Sequence, residues 1–469
     1  MDRLSALDAT FLYAETPEMP MHVAILAVFA AGATGDNLLV DLRNQVKRRI
    51  PLIPFFSRRI STTPLQFDHP VWVVSDDIDL EYHIRHTHLP SPGSADQLNT
   101  LVTRLHMAPL DRARPLWQFY LIEGLQDGGF AVYMKMHHAA IDGKSGMSTL
   151  DIIFGVSSKQ VATQPDLIPR KKDPNIFDSL NISFENILRQ QQQFIESLPE
   201  MSNALGSIAK RVIAGFSKDA PLIGLAPKTM FNVSVSNQRS FGTCSISLSE
   251  VKAVGKSTKS TVNDVVLTIC SGALRRYLEL RNALPEQSLI AAVPVSLRKP
   301  DNADMNNQVT VIICDLATNV VDPIIRLQTI KRSSQEAKAF LGEVRGALMN
   351  DISWWGMPLV ITGLSQLMNR TQLANRLPAL VNLAISNVPG PKGPLEFVGA
   401  KMVRNYPMSI AGDGAALNVT VHSHLDNLDF GLIACRKAVP DVQIINDLIV
   451  DEFDNLKRAA SLPFDHSRG

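Results

Sequence analysis

The run Phe130-Ala131-Val132-Tyr133-Met134-Lys135-Met136 constrains the fold more than any other stretch of the chain. Its β-branched and aromatic content and its short length mark a strand. Before it, Gln126-Asp127-Gly128-Gly129 supplies hairpin chemistry and joins it to a second strand over Trp117–Ile122. After it come His137 and His138, two alanines, Ile141, and then Asp142-Gly143, where Gly143 permits a positive φ and a tight turn. The spacing beyond predicts a helix over Ser145–Phe154 with Ser145 as its cap. A strand therefore delivers two imidazoles to its carboxyl end and stops there.

The same alternation of strand and helix patterns recurs on both sides of this segment. Helices are expected over Ser5–Glu15, with Leu4, Leu7, Phe11 and Leu12 on one face, over residues 37–50 and near Asp96–Met107. Strands are expected at His22–Phe29 and Val71–Ser75. Residues 156–240 change character, with Pro165, Pro169, Pro174 and the run Arg189-Gln190-Gln191-Gln192-Gln193. A helical segment over Met201–Phe216 follows, carrying Lys210 and Arg211. The pattern then resumes, with strands at Cys244–Leu248, Leu289–Val295, Gln308–Leu316, Leu383–Asn387, Leu417–His422 and Leu428–Ala434. Helices alternate with them at Thr261–Leu280, Pro323–Leu341 and Asp441–Leu456. The expected class is α/β, built as two sandwich domains. Residues 1–160 form the first, 161–240 a helical linker and 241–469 the second; a chain of 469 residues is long enough for two cores.

Composition narrows the function. Forty-six basic side chains against 45 acidic ones leave a net charge of +1, which provides no general field for nucleic acid. The four cysteines, Cys244, Cys270, Cys314 and Cys435, are far apart and form no disulfide framework or metal-spaced cluster. They read as reduced thiols in a cytosolic protein. The longest weakly charged stretches, Met21–Thr34 and Trp354–Leu367, fall short of the ~20 apolar residues of a spanning helix.

A histidine at a strand end, held by a tight turn, suits proton transfer near neutral pH. Strand alternation sends His137 and His138 to opposite faces, so one of them alone addresses a given channel. The pattern H-H-x-x-x-D-G resembles the signature of the chloramphenicol acetyltransferase-like, CoA-dependent acyltransferases. The finer similarity is to bacterial wax ester synthase/acyl-CoA:diacylglycerol acyltransferases. It is carried by Leu4-Ser5-Ala6-Leu7-Asp8, Phe11-Leu12, Glu15 and Pro20-Met21-His22-Val23, then by Pro115-Leu116-Trp117, Asn263-Asp264 and Ser386-Asn387-Val388-Pro389-Gly390-Pro391.

The resemblance implies an active site in a channel between the two domains and His138 as general base, with His137 supporting it. It makes Asp142 an orienting, structural residue, with Arg298 as candidate partner. It implies no bound cofactor and acyl-CoA as co-substrate, with a long-chain alcohol or diacylglycerol as acceptor. Contact with the inner face of a membrane or with lipid inclusions is a further expectation. Pro115, Leu116, Trp117, Gly143, Asn263, Asp264, Ser386 and Asn387 are candidate substrate contacts, although capping is the stronger reading of Asn263-Asp264. Ser386, Asn387 and Asn418 are candidate oxyanion donors, with turn and cap roles as the alternative. The sequence departs from the family pattern at Asn306, Glu396 and His424. Other readings are an enzyme of this fold with another thioester donor or acceptor, and a non-catalytic lipid-binding relative.

Overall fold

The computed structural model describes residues 2–35, 37–61, 69–75, 77–141, 143–155, 226–296, 309–348 and 358–461. The first half contains β1 (Asp2–Arg3), α1 (Ala6–Ala14), β2 (His22–Phe29), α2 (Leu38–Arg49), β3 (Arg58–Ser61) and β4 (Val71–Val74). It continues with α3 (Leu80–His83), β5 (Ile84–His88), α4 (Ala95–Met107), β6 (Trp117–Glu123), β7 (Phe130–His137) and α5 (Gly143–Phe154). The second half begins with β8 (Arg239–Ser247), α6 (Leu248–Ser257), α7 (Val262–Glu279), β9 (Ile290–Ser296), β10 (Val309–Asp315) and α8 (Pro323–Leu348). After these come α9 (Pro358–Thr371), β11 (Leu383–Pro389), β12 (Glu396–Phe397), β13 (Ala400–Met408), β14 (Leu417–His424), β15 (Asn427–Cys435) and α10 (Val442–Ser461).

Two six-stranded sheets organise these elements, in the orders β12-β13-β2-β7-β6-β5 and β10-β9-β11-β14-β15-β8. A third, smaller sheet has the order β1-β4-β3. The α/β architecture with two sheet-centred halves is therefore as expected. The linker helix expected at Met201–Phe216 lies outside the described residues, as do the flanking residues 156–225.

The apolar strands are buried on both faces, which is why they read as near-continuous hydrophobic runs. On β2, Ile25, Ala27 and Phe29 face a core with Phe56, Trp117, Met134 and Phe154. Ala24, Leu26 and Val28 face the other way, with Tyr133, Met408, Phe241 and Ile433. Phe241 and Ile433 belong to the second sheet, so this second layer joins the halves. The other face of the second sheet is covered by helices around Tyr277, Val266, Ile330 and Ile449.

Several boundaries differ from expectation. Helix α5 begins at Gly143, so Ser145 sits buried in its first turn instead of capping it, and the Ser145 carbonyl accepts from the Thr149 hydroxyl at 2.9 Å. Leu7 does not join the buried face of α1: it is 44% exposed, while Leu4, Ala9 and Leu12 are buried. Among the elements not expected from the sequence are α6, α9 and β13. The register of β13 shifts after Met402, and Pro407 stands inside it, which blurs the period of two.

β13 matters because it carries the second half's chain into the first sheet, where it pairs with β2 from Met402↔Phe29 to Met408↔Ala24. Its backbone lies directly against β15. A Cβ at Gly431 would overlap the Pro407 carbonyl oxygen, so glycine there permits the close approach of the two sheets. Gly431→Ala is expected to destabilise the chain by about 1–3 kcal/mol through overpacking, read as a lowered urea midpoint with an unchanged slope.

Candidate active site

Strand β7 ends at His137, whose N–H is held by the Leu116 carbonyl at 3.0 Å. The chain then turns, and the His138 N–H donates to the Met21 carbonyl at 2.8 Å. The His138 ring stacks on Phe11 of α1, with centroids 4.1 Å apart and planes 12° from parallel. Helix α1 is placed for this contact at both ends. Ser5 caps it by accepting the Asp8 N–H at 3.1 Å. At the other end Arg112 donates to the Leu12 carbonyl at 2.8 Å and to Glu15 Oε2 at 2.7 Å.

Glu15, the residue that ends α1, is the centre of a buried polar cluster. Its Oε1 accepts the Met21 N–H at 3.2 Å and lies 3.4 Å from both His22 Nε2 and His137 Nε2. Burial opposes ionisation of Glu15, but the neighbouring His137 and His22 imidazoles outweigh it and hold the carboxyl well below the usual range. His137 Nδ1 accepts the Ala139 N–H at 3.0 Å, which assigns the proton of the neutral ring to Nε2, facing Glu15. His22 Nδ1 lies 3.0 Å from the His106 carbonyl, which only accepts, so this nitrogen is the donor.

Behind His22, His106 Nδ1 meets the Tyr133 hydroxyl at 2.8 Å. Burial lowers the pKa of both His22 and His106, His106 the more strongly. Lys135 is also buried, and its ammonium reaches the Leu105 and Ala108 carbonyls at 2.8 and 2.7 Å, at the carboxyl end of α4. Burial first and the charge of Arg85 second push its pKa down to about 7.

The second sheet turns a polar face toward the first half. Leu417, Val419 and Val421 of β14 enter the helical core, so Asn418, Thr420 and His422 point the other way. His422 Nδ1 is 3.3 Å from Asn405 Oδ1, and the Asn405 N–H donates to Asp429 at 2.8 Å. Burial pushes His422 down to about 3 and raises Asp429. Ser386 pairs with Thr420 on this face, whereas Asn387 pairs with Val421 and lies on the opposite one. Helix α5 connects the two regions: Met147 Sδ lies 3.6 Å from Asn405 Nδ2.

The other expected site residues are distributed as follows. Trp117 is fully buried between Phe56 and His83, with ring centroids 4.4 and 4.3 Å away, and its indole N–H donates to the Phe56 carbonyl at 3.0 Å. Leu116 packs with Leu4, Leu12 and Ala139, beneath the histidine turn, and Pro115 accepts the Trp117 N–H at 2.9 Å. Asp264 forms the capping box of α7 with Thr261, and Asn263 lies in that first turn. Gly143 starts α5. Asp142 and Arg298 lie outside the described residues. Sequence reasoning assigned no role to Glu15, His22, His106 or Arg112. Glu15 and His22 were visible only as parts of the opening motif, and their convergence depends on three separate elements meeting.

Comparison with known proteins gives the family. Residues 4–266 match the wax ester synthase/diacylglycerol acyltransferase catalytic domain, and residues 305–457 match the carboxyl-terminal domain of the same family. The chain belongs to the wax ester synthase/diacylglycerol acyltransferase family. Among its relatives, a probable diacylglycerol O-acyltransferase of Mycobacterium tuberculosis is 35% identical, over 98% of this chain and 100% of that protein. The O-acyltransferase WSD of Acinetobacter baylyi is also 35% identical, over 94% of each chain. The solved wax ester synthase/diacylglycerol acyltransferase from Marinobacter aquaeolei VT8 is 31% identical with a TM-score of 0.71, covering 98% of this chain and 100% of that one. The starter condensation domain of rhizomide synthetase shares the fold at 12% identity and a TM-score of 0.56, covering 98% of this chain and 94% of that one. The activity of this family member is that of an O-acyltransferase.

The buried imidazoles set the acid response of this acyltransferase. His22, His106 and His422 have depressed pKa values when folded. Below about pH 6.5 the unfolded chain therefore takes up protons that the folded one refuses. Their neutral burial is thus an increasing penalty as pH falls, down to about 3 for His422. Glu15 adds its own loss only below the ordinary carboxylate range, near pH 4.3. Urea midpoints are expected to fall from about pH 6.5 downward, and His422→Gln is expected to flatten that slope by up to one proton, about 1.4 kcal/mol per pH unit.

Proposed function

We propose that the protein transfers the acyl group of an acyl-CoA thioester to the hydroxyl of a long-chain alcohol or of diacylglycerol, with His138 as general base. The observation that carries this reading is the placement of His138. It follows a strand end, its backbone N–H is held by Met21, and its ring is stacked against Phe11. An imidazole held in this way suits proton transfer near neutral pH.

In this scheme the acceptor hydroxyl gives its proton to His138 while its oxygen attacks the thioester carbonyl. The tetrahedral oxyanion collapses, the carbon–sulfur bond breaks, and the departing thiolate takes the proton from the imidazolium. No covalent acyl-enzyme is formed. Donors for the oxyanion come from Ser386 and Asn418, whose places on the face turned toward the first half support the role. Asn387, on the other face, is not assigned one.

Peripheral attachment to a membrane or lipid inclusion belongs to the same proposal. Among the described residues no helix is long and apolar enough to cross a membrane. Support for surface attachment comes from acceptors scarcely soluble in water, and from exposed Leu367, Leu377 and Leu380 with Arg370 and Arg376 in the same stretch. Flotation with anionic liposomes is expected to carry the protein upward; full recovery in the soluble fraction refutes attachment.

Radiolabelled acyl-CoA with hexadecanol, and separately with diacylglycerol, tests the chemistry. His138→Ala is expected to lower kcat by about 100-fold or more with either acceptor. Wild-type turnover by that variant refutes the general-base role, and turnover with neither acceptor by the wild-type protein refutes the substrate class.

A further inference from the structure

The catalytic segment is tied to a carboxylate that the proposed chemistry does not itself use. Glu15 Oε1 reaches the two sides of His138 by two routes. It accepts the Met21 N–H at 3.2 Å, and the Met21 carbonyl in turn accepts the His138 N–H at 2.8 Å. It also faces His137 Nε2 at 3.4 Å, and His137 Nδ1 accepts the Ala139 N–H at 3.0 Å. The backbone N–H of His138 and that of the next residue are therefore both held by partners that Glu15 holds. Arg112 secures Oε2 at 2.7 Å and the end of the helix that presents Phe11 to the His138 ring.

We propose that Glu15 is the positioning residue of this centre, fixing through Met21 and His137 the turn that aims His138. The inference rests on His138 being the general base and extends that reading to the residue that holds it in place.

His137 places its Nε2–H toward Glu15. His22 donates its Nδ1–H to the His106 carbonyl, and its Nε2 lies 3.4 Å from Glu15 Oε1. The groups around Glu15 are His22 on β2, His137, Lys135 and Tyr133 on β7, His106 on α4 and Arg112 in the following loop, with the charge of Arg239 of β8 reaching His106. Loss of the carboxylate removes the one anion among these groups and frees both backbone anchors of the turn.

The test compares Glu15→Gln, His138→Ala and the double variant in the full-length chain. Glutamine keeps the volume and one acceptor oxygen, but not the charge. Glu15→Gln is expected to lower kcat by about 100-fold, as misplacement of a catalytic group does, with KM for acyl-CoA within about twofold of wild type. Because Glu15 acts through His138, the double variant is expected to be no slower than His138→Ala alone. A residue needed only for general stability would instead slow the His138→Ala background further, and that result overturns the proposal. If Glu15→Gln fails to fold, Arg112→Gln, at a half-exposed position, carries the same comparison. Its expected loss is severalfold and vanishes in the His138→Ala background; unchanged kcat overturns the proposal. Wild-type turnover by His138→Ala overturns the general-base reading itself, whereas wild-type turnover by Glu15→Gln beside an inactive His138→Ala overturns only the positioning role.

Discussion

A carboxylate buried among imidazoles persists only if its charge is met by partners, because an unpaired buried ion is strongly destabilising. Glu15 satisfies this requirement with His137, Arg112 and the Met21 amide, with His22 Nε2 3.4 Å away. These groups come from three parts of the chain: the start of β2, the end of β7, and the loop after α4. Meeting the charge therefore requires α1, β2, β7 and the loop to dock in one arrangement. That arrangement also places the Phe11 ring against His138, so the electrostatic constraint and the geometry of the candidate base are the same feature.

The halves are joined by an equally demanding contact. β13 leaves the second half's sequence to pair with β2, and Gly431 lets the backbone of β15 lie against Pro407. Around this seam apolar residues from both sheets pack in one layer, and polar residues such as Asn405, His422 and Asp429 bond to one another. Helix α5 starts just past the histidine turn and meets the same layer through Met147. Movement of one sheet against the other would thus be felt at His138 through α5, and at Asn418 and Ser386 through their own strands.

Much of this was legible from local pattern. The β7 strand ending in two histidines, the apolar run of β2, the helix following Thr261 and the paired α/β halves follow from periodicity and turn chemistry, whose signals lie within a few residues of one another. β13 was hidden because a bulge and a proline inside it break the alternation on which the reading depends. Trp117 was a candidate substrate contact in the sequence, and its burial between Phe56 and His83 reflects a cluster assembled from three separated segments.

The sequence by itself determined the strand, the turn and the pair of imidazoles from which His138 emerges, because backbone preference and side-chain alternation act between near neighbours. It also carried the family, through ordered motifs along the chain. Only the tertiary structure decided that Glu15 and His22 belong to the same site as His137, that Ser386 shares a face with Asn418 while Asn387 does not, and that the two sheets meet at Gly431. Those relations are between residues tens to hundreds of positions apart, brought together by the pairing of buried charge and the close packing of two sheets, and neither leaves a local trace in the order of amino acids.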